Sequence, residues 1–220
     1  LPLAPYGGDS AAGDQTIEGS LGQILSRSLR VRSSQLLTLG FFVCGFHVAF
    51  ITVHMPGYLV DLGFDARVGA GSLGLIGWCN VVGAYVAGVQ SGKWSMRKLL
   101  AFIYVGRVIA IGLFLTIPVS LTSVLAFSAL MGFLWLATVP PTSGLVAVFF
   151  GTRYMTFLYG VVFLSHQLGS FSGIWLGGWL HETTGSYDGI WFAGLVLGLL
   201  AAVLHWPIQE RSHVDLLRAS

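Results

Sequence analysis

The chain has 220 residues, one or two domains' worth. Hydrophobic residues make up 55% and charged residues 9%, with a mean hydropathy of +0.79, whereas a soluble domain carries about 25% charged residues. Such a chain cannot cover a water-facing surface, which excludes a soluble enzyme and a disordered scaffold. A formal net charge of +2 is too small for a nucleic-acid binder.

Residues 1–22 are rich in Gly, Ser, Ala and Asp and read as a flexible segment. Residues 23–35 read either as a short basic amphipathic helix on the membrane face or as a solvated linker. Six nearly charge-free apolar stretches follow, at about 36–60, 68–92, 99–119, 121–149, 155–180 and 189–207. Each is near the ~20 residues a spanning helix needs, and none has the short alternation of a barrel strand. The expected fold is therefore all-α: a polytopic membrane protein with six transmembrane helices. Residues 1–35 form a linker with a basic amphipathic end, 36–207 the transmembrane domain and 208–220 a tail. The breaks fit: Asp61 to Asp65 closes the first helix, Pro118 ends the third, and Thr122 or Ser123 is placed to cap the fourth.

Lys and Arg set the expected orientation. With the N-terminal segment inside, the inner loops hold Arg27, Arg30, Arg32, Lys93, Arg97, Lys98, Arg153, Arg211 and Arg218, and the outer loops hold only Arg67. Both termini are then cytoplasmic.

Cys44 and Cys79 fall inside helices and read as packing residues without a disulfide. No metal-binding spacing is present, and no cofactor is expected. Polar side chains at mid-membrane are functional candidates. His47, Asn80, Trp135 and the pair His166-Gln167 lie near the middle of the first, second, fourth and fifth helices, the layout of a midplane binding site. His54 lies nearer the outer end. The alternatives are helix–helix hydrogen bonds for the polar groups and a lipid-facing or core position for Trp135. Arg107 is a formal charge about nine residues past Lys98, roughly 13 Å deep at 1.5 Å per residue. It reads as an anchor for a carboxylate, or as a cation that snorkels toward the cytoplasmic face or pairs with backbone carbonyls. Gly69, Gly71, Gly74, Gly77, Gly83 and Gly88 on the second helix, and Gly169, Gly173 and Gly177 on the fifth, are faces for close helix approach. Pro140-Pro141 places a kink in the fourth.

The pattern resembles the C-terminal half of a major facilitator superfamily transporter. Gly88-Val-Gln-Ser-Gly92-Lys93-Trp-Ser-Met-Arg97-Lys98 resembles that superfamily's cytoplasmic gating loop, with Gly92 where an acidic residue stands. Ser165-His166-Gln167-Leu-Gly169 through Gly177-Gly178 resembles its glycine-rich eleventh helix. Together with Gly45-Phe46-His47, these runs are most similar to the monocarboxylate and oxalate–formate branch. The resemblance implies secondary transport of a small organic anion, by proton coupling or exchange, in a plasma (bacterial inner) membrane. It also implies a partner: the N-terminal half of the same polypeptide, or a second half-transporter chain. It places His47, Asn80, Trp135, His166 and Gln167 on cavity-lining helices and Arg107 on a peripheral one. A non-transporting fragment or subunit is the alternative. A more remote one is a rhomboid-type protease, since Pro141-Thr142-Ser143-Gly144 and His166 partly echo its serine and histidine motifs.

Overall fold

The computed structural model describes residues 20–215. Residues 1–19, most of the segment read as flexible, and residues 216–220, with Arg218, lie outside the described residues. Every regular element among those described is a helix: α1 (Leu21–Ser28), α2 (Arg32–Asp61), α3 (Ala66–Ser91), α4 (Met96–Thr116), α5 (Leu121–Leu134), α6 (Val139–Phe150), α7 (Met155–Thr184) and α8 (Asp188–His205).

Among the described residues, five spans are long and apolar enough to cross a membrane: α2, α3, α4, the combined Leu121–Phe150 and α8. The sixth expected span, α7, is as long as α2 but falls outside this set. Ser165, His166, Gln167, Ser170 and Ser172 interrupt its apolar run. The fourth stretch is two helices, because the chain unwinds over 135–138 immediately before the proline pair. Its N-cap is Ser120, in a capping box with Ser123.

The basic segment at 23–35 is divided at 29–31. α1, closed by a capping box between Ser20 and Gln23, is a separate amphipathic turn ahead of α2. It docks on the bundle, because Ile24 is fully buried in one core cluster with Leu37, Phe149, Phe150 and Ile208.

α2 is the hub. It runs parallel to α7 from Thr38–Ser165 at one end to Asp61–His181 at the other. Close approach is possible because of glycine: a Cβ on Gly45 would overlap the His166 carbonyl, and one on Gly169 the Phe42 carbonyl. α8 crosses α2 in the opposite sense, with the His205 ring filling the space beside Gly40. α3 lies along α5, where Gly83 meets the Phe133 backbone. A second core cluster surrounds the Trp191 indole, which packs on Phe50, Tyr58, Phe114 and Phe127.

Candidate functional site

The unwound stretch between α5 and α6 is the centre of the polar interior. Pro140 and Pro141 have no N–H, so a continuous helix would orphan the Leu136 and Ala137 carbonyls, and the proline rings would press on them. Unwinding relieves the clash but strips other backbone groups of helical partners. Orphans are costly in an apolar interior.

Side chains from other helices take them up. The Arg107 guanidinium donates from Nε (3.2 Å) and Nη2 (2.8 Å) to the Leu134 carbonyl, and from Nη2 to the Trp135 carbonyl. Asn80 Oδ1 accepts the Leu136 N–H at 3.0 Å. The Thr138 hydroxyl lies 3.1 Å from Cys44 Sγ, which also accepts from Arg107 Nη2 at 3.5 Å. Arg107 is fully buried, sits over the Tyr104 ring and keeps Nη1 without a partner. Its partners are carbonyls, a ring and a thiol, and none is a carboxylate. Of the sequence-based readings of Arg107, backbone pairing describes these contacts; the fully buried guanidinium does not snorkel, and the bare Nη1 leaves one donor for a further group.

The two mid-helix histidines are treated differently. His47 is fully buried and turned to α8, with Nε2 2.7 Å from the Gly194 carbonyl and its ring against Gly194 and Gly198. His166 on α7 stands beside Cys44. Its ring stacks on Phe163 and tilts against Phe41. Nδ1 is 3.2 Å from Gln167 Oε1, and Nε2 has no partner although the residue is only 7% exposed. Gln167 itself is exposed. His54, nearer the far end, meets the Ile174 carbonyl at 2.9 Å.

Arg107, Asn80 and Trp135 therefore meet at the break, and Cys44 links them to His166 and Gln167. His47 does not join them; it closes the packing of α2 on α8. Cys44, read as a packing residue, and Thr138 are members of the site that periodicity alone does not mark. Thr142, one turn beyond Thr138, is also buried with its hydroxyl unpartnered. Both cysteines are free. The Ser143 hydroxyl donates to the Pro140 carbonyl at 3.0 Å rather than to His166.

The loop between α3 and α4 has its own acidic partner. Ser95 Oγ and the Arg97 N–H (2.9 Å) both donate to Glu210 Oε1, and the Arg97 guanidinium donates to the Trp206 carbonyl at 2.8 Å. The carboxylate bonded to this loop among the described residues thus comes from beyond α8. Gly88 is exposed and lies alongside Pro140, while Lys93 and Lys98 are exposed.

These features define a class: among the described residues, an all-helical protein with five spans able to cross a membrane, one of them broken and stapled at its centre by a buried arginine. No protein-family model and no curated protein matches the chain.

Proposed function

We propose that this chain is one six-helix half of a secondary transporter of the major facilitator type, carrying a small organic anion of the monocarboxylate kind. α7 is the sixth span in this reading. It lies against α2 from Ser165 to His181, so it shares the membrane slab that α2 crosses. The observation that carries the proposal is the mid-bundle break at 135–138. Irregular backbone at membrane depth is tolerated where protein buries it or where it borders a cavity, and transporters build their sites at such breaks.

In this reading the anion lies beside the break, toward the exposed faces of α3 and α7. His166 Nε2 and Arg107 Nη1 are the open nitrogens nearest the Cys44 link, Asn80 and Trp135 hold the wall, and Gln167 faces the partner half. Imidazole titrates close to physiological pH, which suits His166 to carry a coupled proton. His47 is scaffold. The open side of α3 supports a missing half: a Cβ at Gly71, Gly74 or Gly77 would meet nothing within 4 Å beyond its own helix, and Trp78 and Tyr85 are 71% and 74% exposed. The protein then resides in the plasma membrane with both termini cytoplasmic, the side that carries most of its Lys and Arg.

The test is uptake of radiolabelled lactate, formate and oxalate into proteoliposomes of the native polypeptide, with and without an imposed proton gradient. Uptake of one of them, reduced by His166→Ala, supports the reading. A folded native polypeptide that moves none of them under either condition overturns it. The mass of the native polypeptide, from a C-terminal tag, separates the two partner possibilities: near twice 23.6 kDa for a fused half, at 23.6 kDa for two paired chains.

A further inference from the structure

A second polar feature lies at the end of the bundle where α2 begins and α8 exits, remote from the break. A cavity of about 390 Å³ opens there, lined by Val31, Arg32 and Ser33 from the start of α2 and by Pro207, Gln209, Arg211 and His213 from the chain beyond α8. Its walls are fixed. The Gln209 N–H donates to Ser33 Oγ at 3.1 Å, and the His213 N–H donates to the Phe149 carbonyl at 2.7 Å. Two arginines face it from opposite walls, and no carboxylate lines it. Glu210, the acidic residue of that wall segment, is turned away onto Ser95 and Arg97. The 30-residue α2 starts at this cavity without a side-chain cap and without an acidic residue in its first turn, so no side chain of its own first turn offsets the positive end of its dipole there. The His213 imidazole has its pKa lowered, first by partial burial and then by Arg211, which fits a positive local potential.

We propose that this cavity is a phosphate-binding site, taking the phosphoryl group of an anionic lipid or of a free phosphate. Two guanidinium groups with uncapped helix amides match the charge and acceptor geometry of a phosphoryl group. Basic pockets between membrane helices bind lipid headgroups by this chemistry. α1 lies next to the site and exposes Leu21 and Leu29 beside Arg30, as a helix at headgroup depth does.

Native mass spectrometry of the full chain in mild detergent, titrated with phosphatidylglycerol, phosphatidylcholine or inorganic phosphate, tests this. Phosphatidylglycerol binds in preference to phosphatidylcholine, and R32A/R211A weakens it about 30-fold, the loss expected for two interfacial arginines. K93A, which removes an exposed basic residue outside the cavity, leaves it unchanged. Arg32 and Arg211 are exposed, so the double variant keeps its fold, and an unchanged melting temperature checks this. Binding of inorganic phosphate with the same arginine dependence, and no preference between the two lipids, keeps the site and assigns it to a free phosphate. Phosphatidylglycerol and phosphate binding that are both indifferent to R32A/R211A overturn the proposal.

Discussion

The two sides of α2 solve different problems. Toward α4 and α8 the bundle is closed: the His47 ring is seated on α8 glycines, and Tyr104 donates to the Gly40 carbonyl at 2.7 Å. On the outer faces of α3 and α7 it is open: only 22% of the most apolar window of α3 is buried, against 56% for α2, and Gln167 on α7 is exposed. A polar group inside a membrane helix is therefore not one kind of signal. On the closed side it sits between packed helices; on the open side it stands beside a side chain that reaches the surface, as His166 does next to the exposed Gln167.

Gly169→Leu tests the difference most severely. Leucine there meets the Phe42 backbone, so a loss of about 3 kcal/mol in thermal unfolding is expected from overpacking. Gly74→Leu, on the open face of α3, is expected to stay within about 0.5 kcal/mol. A large loss at Gly74 in the isolated chain would break the distinction.

Arg107→Ala comes next. It orphans the Leu134 and Trp135 carbonyls and is expected to cost about 2 kcal/mol, with faster hydrogen exchange confined to 134–139 as the local readout. Uniform exchange across α5 and α6 would show that the staple does not hold the break. His47→Ala leaves the Gly194 carbonyl without its ring partner and is expected to cost about 1 kcal/mol in the same melts. The smallest effect belongs to Asp61→Asn. The carboxylate contacts His181 Nε2 at 3.1 Å on a solvent-exposed edge, so its removal is expected to change stability by about 0.5 kcal/mol or less.

Much of this architecture is legible in the chain, because length and apolarity are local properties. The stretches holding α2, α3, α4 and α8 are visible within a few residues, and Pro140-Pro141 announces a break. What is not legible is tertiary. The residues that hold the break are Asn80, 56 positions before Leu136, and Arg107, 27 before Leu134, and no periodicity links them. Depth along a helix puts His47 and His166 at similar levels, but only the packing shows that one is turned onto α8 and the other stands beside Cys44 and the exposed Gln167. Glu210 reaches the α3–α4 loop from 113 residues away, so the loop reads as lacking an acid when inspected alone. The polar run in α7 explains why that helix falls short on apolarity.

The most direct test of the division between scaffold and site compares His47→Ala with His166→Ala in the native polypeptide, scored as proton-driven uptake per folded molecule in proteoliposomes. The account predicts that His47→Ala melts earlier yet transports normally per folded molecule, while His166→Ala melts normally and loses uptake together with its pH dependence. Uptake with unchanged pH dependence in His166→Ala, or its loss in folded His47→Ala, would contradict the account.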